Sequence, residues 1–308
     1  MSFRADAAEA GMRLDAALAA RGEAATRSEA QRLIEAGAVT VDGTARPKAH
    51  RLSEGELVER HPVAEERDSS AAEVPFEVVL EDEDLMVVDK PAGVVVHPGA
   101  GRRTGTLAQA LAGRAAGGPN PARAGIVHRL DRDTSGLMVV AKSEAAWSAL
   151  TAMIRRRELQ RRYLALVSGR PDARSGTIDA PLGRDRSRRT AMSTSTDKPR
   201  ASTTHFEVLE ALPRTTLLDV HLETGRTHQI RAHLAAIGHP VCGDPRYGGS
   251  KCGSRLGLDR QFLHSAKLMF RHPIRGGEVA CESKPPAHLL RALGVARREP
   301  VSGGPDGD

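Results

Sequence analysis

The pattern of hydrophobic positions predicts two short helices near the start of the chain. Leu14 and Leu18 stand one helical turn apart, as in a first amphipathic helix. Ser28 with Gln31 three positions later forms a capping box, which predicts the start of a second helix. The buried face and the end of this second helix are predicted from three residues: Leu33, Ile34 and Gly37.

A β-hairpin is predicted to follow the second helix. Residues 39–41 alternate as a strand does, and Asp42-Gly43 is a strong two-residue turn signal. Residues 61–74 are polar and show no periodicity, which is typical of a linker. We therefore expect a small αα-hairpin domain at residues 1–60, joined by a linker at 61–74 to the rest of the chain.

Beyond the linker, short β-type runs are interspersed with helices. Strands are predicted at 76–80, 85–89, 94–96, 137–141, 163–167 and 217–222, and helices after Thr106, after the capping residue Ser143 and around Ile230 and Leu234. Residues 262–270 are predicted to form a last core segment. Strands and helices do not alternate regularly, which predicts an α+β domain with a mixed, mainly antiparallel sheet and flanking helices. We assign residues 75–295 to this domain and 296–308 to a disordered tail.

A polar loop stands directly before the most apolar of these strands. Residues 128–136, HRLDRDTSG, precede the run 137–141, and such a loop can hold a reactive group rigidly. Asp131 lies between Arg129 and Arg132, whose charges favour an ionised carboxylate. It can act as nucleophile, general base or metal ligand, or form only a structural ion pair. Asp133 is better placed to shape the turn.

Two later segments also carry charge. Residues 183–200 are basic and polar, which predicts a long surface loop or lid. Residues 226–228, Arg-Thr-His, precede a helix, and the free amides and dipole at a helix N-terminus favour an anion.

The composition of the chain limits which classes of binding partner and which compartment we expect. Lys and Arg number 45 against 39 Asp and Glu, a net charge of +6, which favours a polyanionic partner, although a solvated basic surface is the alternative. Aromatic residues make up only 3% of the chain, which argues against a binder that stacks single-stranded bases. The three cysteines form no CxxC pair, so we expect a reduced, cytoplasmic protein, with neither a signal peptide nor a membrane span.

Metal and nucleotide sites have little support in the sequence. His228 and His233 are five positions apart, not the four that place two ligands on one helical face. A zinc set of His239, Cys242, Cys252 and His264 matches no common spacing, and no GxxxxGK[ST] motif occurs. The sequence therefore predicts no metal.

The N-terminal segment RLDAALAARGEAATRSEAQRLIEAGAVTVDGTARPK resembles the small RNA-binding domain named after a small-subunit ribosomal protein. The resemblance implies that the second helix and the hairpin present basic residues to RNA, here Arg27, Arg32, Arg46 and Lys48. A docking module without RNA is the alternative.

Five motifs in the second domain carry a further resemblance: DLMVVDKPAGVVVHPGAG, GIVHRLDRDTSGLMVVAK, RRYLALVSG, ETGRTHQIRAHL and GHPVCGDPRYGG. Together with the N-terminal segment, they resemble the pseudouridine synthases that act on large-subunit ribosomal RNA, in particular the D type, over residues 12–290. The resemblance implies that Asp131 is the nucleophile, that Tyr163 packs against the target base, and that Arg231, or else Arg226, pairs with Asp131. Arg129 would hold the base out of its stack, and Arg226 and His128 would contact the RNA.

The function that this resemblance implies is the isomerisation of uridines in 23S ribosomal RNA. The reaction neither gains nor loses atoms, so no cofactor is implied. The expected enzyme is a cytoplasmic monomer that acts on RNA, including pre-50S particles, and not on membranes. The alternatives are the same chemistry on transfer RNA, a non-catalytic ribosome assembly factor, and a hydrolase that releases uracil.

Overall fold

The computed structural model describes residues 2–24, 26–35, 37–61, 74–98, 104–186 and 191–300. The chain divides into two compact units, Met1–Ser70 and Ala71–Asp308. Most of the predicted linker, 62–73, lies outside the described residues, as do residues 301–308 of the predicted tail. In the part of the chain that is described, no helix is long and apolar enough to cross a membrane.

The first unit combines two helices with a four-stranded antiparallel sheet. Its elements are β1 (Ser2–Arg4), α1 (Leu14–Ala20), α2 (Arg27–Glu35), β2 (Val39–Val41), β3 (Thr44–Ala45) and β4 (Leu57–Arg60), with strand order β1-β4-β2-β3. The predicted apolar residues form its core: Leu14, Leu18, Ile34 and, partly exposed, Leu33. Asp42 and Gly43 have φ of 50° and 75°, as the predicted two-residue turn requires. The two helices and the hairpin are confirmed.

Helix α2 begins earlier than the capping box at Ser28 predicts. Thr26 Oγ1 accepts a hydrogen bond from the backbone N–H of Glu29 at 3.2 Å, so Thr26 is the N-cap and the predicted cap is wrong. Thr26 and Glu29 have the same three-residue spacing as Ser28 and Gln31, so the sequence contains two possible capping boxes two positions apart. The predicted stop holds, because Gly37 has a φ of 72° and donates its N–H to the Ile34 carbonyl.

The second unit is built on a nine-stranded sheet. Its strands are β5 (Glu77–Glu81), β6 (Leu85–Lys90), β7 (Ser135–Ala141), β8 (Gln160–Ser168), β9 (Ser175–Asp179), β12 (Thr203–Ala211), β13 (Thr215–Leu222), β14 (Leu263–Arg271) and β15 (Glu278–Glu282); β10 (Gly183–Arg184) and β11 (Met192–Ser193) form a separate pair. The order is β5-β6-β7-β14-β8-β13-β12-β9, with β15 also pairing with β14. Among the strands that the structure describes, only β7 and β14 pair in parallel, so the predicted mixed, mainly antiparallel sheet is confirmed.

Helices and loops flank this sheet. The helices are α3 (Leu107–Ala110), α4 (Glu144–Arg155), α5 (Gln229–Ala236), α6 (Ser250–Leu256) and α7 (Ala287–Arg298). Ser143 caps α4 as predicted. Helix α7 runs through Arg298, so residues 296–298 are helical and not part of a tail. The predicted strand at 94–96 is wrong: the carbonyls of Val95 and Val96 accept the first N–H groups of α3 instead.

The centre of the sheet brings the predicted site together. Strand β7 is buried along its whole length, and it lies next to β14, which lies next to β8. At the start of β7 the backbones approach closely: Gly136 has a φ of 111°, and a Cβ there would lie 2.3 Å from the Ser265 carbonyl oxygen. Only glycine fits that approach. The loop before β7 is thereby held beside β8.

Candidate active site

A cavity of about 390 Å³ opens between the loop before β7, strand β8 and the segment that joins β13 to α5. The predicted site residues of the second unit all line it: His128, Arg129, Asp131, Tyr163, Arg226 and Arg231. Segments far apart in sequence therefore contribute to one wall. A cavity of this size is within the range that holds small ligands.

Asp131 is held in this cavity by a buried arginine. Arg231 Nη1, from α5, donates to Asp131 Oδ2 at 2.9 Å. The same guanidinium binds Asp244 through Nε and Nη2, at 2.6 and 3.0 Å. The side chain of Asp244 is fully buried and that of Arg231 is 7% exposed, whereas that of Asp131 is 15% exposed. The ion pair implied by the resemblance is present, and only its outer carboxylate is open to a ligand.

Asp244 makes the arrangement rigid. Besides Arg231, it accepts the backbone N–H groups of Arg246 and Tyr247 at 2.9 and 3.2 Å. Burial tends to lower the pKa of Arg231, but its hydrogen bonds to Asp244 and the charges of Asp131 and Asp244 raise it overall. Arg231 therefore stays a cation, and it supplies a fixed counter-charge beside Asp131.

The two arginines that flank Asp131 in the sequence form no ion pair with it in the part of the chain that the structure describes. Arg132 forms an ion pair with Asp133 at 2.9 Å. Arg129 Nη1 lies 3.2 Å from His97 Nε2. The loop directs both side chains elsewhere, so the counter-charge of Asp131 comes from a distant helix.

Lys90 fastens the loop that carries Asp131. Its fully buried Nζ donates to the carbonyls of Pro91, Val94 and Arg132 at 2.7, 2.9 and 3.0 Å. Burial lowers the pKa of Lys90 to about 7, against the opposing charge of Asp131. One ammonium group thus ties the segment after β6 to the residue that follows Asp131.

Tyr163 supplies an aromatic wall. It lies on β8, is 4% exposed and lines the same cavity as Asp131. Burial raises the pKa of its hydroxyl, which therefore stays protonated. An aromatic ring in this position offers a face to a planar base; that contact remains a prediction.

Arg129 and Arg226 belong to the exposed part of the cavity wall. Arg226 Nε donates to the Ala201 carbonyl at 3.2 Å. Both residues are exposed to solvent, and their predicted role is contact with RNA. That role remains a prediction.

The N-terminus of α5 is organised by side chains. Gln229 Oε1 accepts the N–H of Arg226 at 3.0 Å, so the anion position predicted at residues 226–228 is partly filled. The backbone of His228 is in the left-handed helical conformation, with a φ of 55°. Its Nδ1 lies 3.0 Å from Tyr247 Oη. The same hydroxyl accepts the N–H of Met192 at 2.8 Å. Tyr247 therefore links the start of α5 to β11, inside the predicted lid segment.

The predicted RNA-binding residues of the first unit differ in their partners. Arg27 pairs with the buried Asp15 at 3.2 Å, and Lys48 pairs with Glu35 at 2.6 Å. Two others are exposed and have no ion pair with any residue that the structure describes: Arg32 and Arg46. Their contact with RNA remains a prediction.

The expectation that the cysteines are all reduced is wrong for two of the three. Cys242 and Cys252 form a disulfide, and Cys281 is unpaired and buried. Helix α6 folds back so that the two Cα atoms lie 5.0 Å apart, which a ten-residue spacing does not reveal. The chain is therefore not fully reduced in this structure.

One group of possible metal ligands occurs among the described residues: Asp82, Asp84 and His272. Asp82 Oδ2 lies 2.9 Å from His272 Nε2, and Asp84 Oδ2 pairs with Arg275 at 3.2 Å. These oxygens already have partners within the fold, and none of the three residues lines the cavity.

Each of the two units matches the model of a known protein family. Residues 84–236 match the family model for RNA pseudouridylate synthase, and residues 12–58 match the S4 domain. An uncharacterized RNA pseudouridine synthase of Mycobacterium bovis is 45% identical over 94% of this chain and 96% of its own. This chain belongs to the RNA pseudouridine synthase family.

Two further comparisons agree with this assignment. Ribosomal large subunit pseudouridine synthase D of Nitrosomonas europaea is 42% identical, over 95% of this chain and 87% of its own. The solved structure of human RNA pseudouridylate synthase domain containing 4 has a TM-score of 0.57 at 23% identity and covers 72% of this chain and 93% of its own, which shows a shared fold. The prediction of an RNA pseudouridine synthase, an isomerase with an RNA-binding S4 domain, is confirmed.

Three residues that hold the site were not singled out from the sequence: Lys90, Asp244 and Tyr247. Each lies in a motif that carried the resemblance, Lys90 in DKPAG and the other two in GDPRYGG. A charged or hydroxyl-bearing residue inside a rigid Gly- and Pro-containing motif was the available signal.

Proposed function

We propose that this RNA pseudouridine synthase modifies specific uridines of 23S ribosomal RNA, with Asp131 as the nucleophile and without a cofactor. The observation that carries the proposal is the cavity-facing carboxylate of Asp131, fixed by Arg231, which is itself fixed by the buried Asp244. The ribosomal RNA substrate is supported by the name of the Nitrosomonas relative, ribosomal large subunit pseudouridine synthase D.

The chemistry requires an ionised carboxylate at a fixed position. The bond from uracil N1 to the sugar breaks, the uracil turns, and a bond forms from C5 to the same sugar carbon, while the hydrogen on C5 is given up as a proton and N1 gains one. No electron donor or group donor is required. The carboxylate can act by attack on the sugar, by attack on the base, or by proton abstraction from the sugar. Each route needs Asp131 held close to the nucleotide, which the contact with Arg231 supports.

The uridine must leave its stack to reach Asp131, which costs a few kcal/mol. Exposed arginines at the cavity can offset this cost: we propose that Arg129 fills the gap left by the base and that Arg226 binds the backbone. Tyr163 packs against the uracil, and His128 contacts the same nucleotide. In the S4 domain, Arg27, Arg32, Arg46 and Lys48 bind RNA phosphates.

We further propose that the enzyme works as a monomer in the cytoplasm, on free 23S RNA or pre-50S particles. The test is incubation of unmodified 23S transcript with purified full-length enzyme, without cofactor and with EDTA. Nucleoside mass spectrometry and carbodiimide mapping then locate pseudouridine. We expect product at a few defined uridines. No product on 23S transcript but product on transfer RNA would refute the substrate, and a need for added metal would refute cofactor-free chemistry.

A further inference from the structure

Arg161 is a buried cation in the cavity wall, and it forms no ion pair with any residue that the structure describes. It lies on β8, two residues before Tyr163, so the two side chains point to the same side of the sheet. Arg161 is 4% exposed and lines the cavity. Its Nε is enclosed and has no hydrogen-bond partner, and within the described residues no ion pair includes Arg161.

Asp131 is the one acidic residue among the described residues that line the cavity. The carboxylate of Asp131 is paired with Arg231. On the other side, the Arg161 guanidinium lies against the backbone of Gly225, where a Cβ would come within 2.9 Å of Nη1. An unpaired cation in such a position opposes folding unless a ligand supplies the missing charge.

His128 adds a second unsatisfied donor to the same wall. The N–H of Val139 donates to His128 Nε2 at 3.1 Å, so a neutral ring carries its proton on Nδ1. Burial, and after it the charge of Arg161, lowers the pKa of His128 to about 3, which keeps the ring neutral. Its Nδ1 is enclosed and has no hydrogen-bond partner. Two neighbouring groups therefore lack an acceptor.

We propose that Arg161 and His128 bind a phosphodiester oxygen of the target nucleotide. The proposal rests on the proposed function in one respect only, that the nucleotide in the cavity is a uridine of the substrate RNA. A phosphodiester carries a full negative charge before and after the reaction, and a guanidinium can bind two of its oxygens. The uracil oxygens are neutral in the substrate, so they match a permanent buried cation less well.

A mononucleotide isolates this contact from the S4 domain. Uridine 3′,5′-bisphosphate and uridine are titrated into the full-length enzyme, and dissociation constants are taken from NMR shift changes. We expect Arg161→Met to weaken binding of the bisphosphate about tenfold or more and to leave uridine binding unchanged. Arg161→Lys, which keeps the charge, should recover part of the loss.

Arg162→Met is the matched control. Arg162 is the next residue of β8, its side chain is on the opposite face, and it pairs with Asp219 at 2.8 Å. The Arg162→Met variant should bind uridine and uridine 3′,5′-bisphosphate with the wild-type dissociation constants. Because Arg161 has no ion pair to lose among the described residues, Arg161→Met without ligand should melt at or above the wild-type temperature.

Three results would overturn the proposal: unchanged bisphosphate binding by Arg161→Met, an equal loss for uridine and bisphosphate, or a lower melting temperature without ligand. The second would place the cation on the uracil, and the third would show a structural contact. None of these measurements needs turnover. Failure of the proposed function would appear in the transcript assay, whereas failure of this inference would appear in the titrations.

Discussion

The two units each contain a buried ion pair, but opposite members of the pair face outward. In the N-terminal unit the carboxylate of Asp15 is fully buried, and Arg13 and Arg27 reach it from the surface. In the catalytic unit the arginine is buried, and Asp131 extends from Arg231 toward the cavity. A buried carboxylate with surface arginines fastens structure together, whereas a buried arginine with an outer carboxylate leaves that carboxylate open to a ligand.

The number of donors to each carboxylate explains the difference. Asp15 accepts hydrogen bonds from three side chains, and that from Arg13 is the main reason that its pKa lies well below the usual value. Arg231 is the one side-chain donor to Asp131 among the described residues. Asp15 has no capacity left for a ligand, whereas Asp131 retains it.

Breaking the pair between Arg231 and Asp131 should have the largest effect of the variants that probe this contrast. Arg231→Met should lower pseudouridine formation about 10²- to 10³-fold and destabilise the catalytic unit by about 3 kcal/mol, because Asp244 stays buried without its partner. Trp147 is the single tryptophan and lies on α4, so its fluorescence in urea follows the catalytic unit.

Arg226→Met is the control for that experiment, because Arg226 is exposed in the same cavity. Its free energy of unfolding should stay within about 0.5 kcal/mol of wild type. Equal destabilisation by the two variants would show that the buried position of Arg231 has no special importance.

Breaking the pair in the N-terminal unit should affect stability and not chemistry. Asp15→Asn should destabilise that unit by about 2 kcal/mol, because charged hydrogen bonds to a buried group are lost. Far-UV circular dichroism in urea should show an earlier transition, while the Trp147 transition stays in place. Glu35→Gln is the control, since Glu35 forms an exposed pair with Lys48, and it should cost at most about 0.5 kcal/mol. Equal costs for the two variants would contradict the structural role of Asp15.

The stability of the two units should also respond differently to acid. The pKa of His128 is lowered from 6.5 to about 3, first by burial, so between these values the unfolded chain binds a proton that the folded chain does not. Stability therefore rises with pH across this window and falls in acid. Asp15, with its lowered pKa, stays ionised at pH 5.

His128→Gln removes this titration and keeps an acceptor for the N–H of Val139. Between pH 7 and 5, the wild-type catalytic unit should lose about 2 kcal/mol more than the variant, as measured by Trp147 fluorescence in urea. Identical losses would show that the ring is not buried in its neutral form.

The smallest effect is expected at the S4 surface. Arg32 is exposed and has no ion pair with a described residue, so Arg32→Ala should reduce the salt dependence of RNA binding by about one phosphate contact, a slope change of about 0.7 to 0.9. Stability should not change. Arg27→Ala, which also breaks the pair with Asp15, should change both. An unaltered slope in Arg32→Ala would mean that this residue does not contact phosphate.

Local patterns in the sequence predicted most of the fold. The spacing of Leu14 and Leu18, the turn at Asp42 and the cap at Ser143 each describe short-range physics, and each prediction is confirmed. The predictions failed where tertiary contacts decide. The apolar run at 94–96 packs and caps α3 instead of joining the sheet, and two cysteines ten positions apart are brought together by α6.

The site residues also differ in whether the sequence could predict them. The motif around Asp131 is continuous in sequence, so its position before a buried strand could be predicted. Asp244 and Arg161 could not be identified, because their importance depends on what each side chain contacts: a buried guanidinium for Asp244 and no acceptor for Arg161. Sequence spacing alone does not record the presence or absence of such a partner.

The most direct test of Asp131 is the pseudouridine yield of Asp131→Asn on unmodified 23S transcript, at enzyme concentrations that saturate the RNA. Asp133→Asn is the matched control, because Asp133 lies two residues away and pairs with Arg132 at the surface. We predict that Asp131→Asn forms product at least about 10⁴-fold more slowly and binds RNA within about tenfold of wild type, while Asp133→Asn retains turnover. Product formation by Asp131→Asn near the wild-type rate would contradict the nucleophilic role of Asp131.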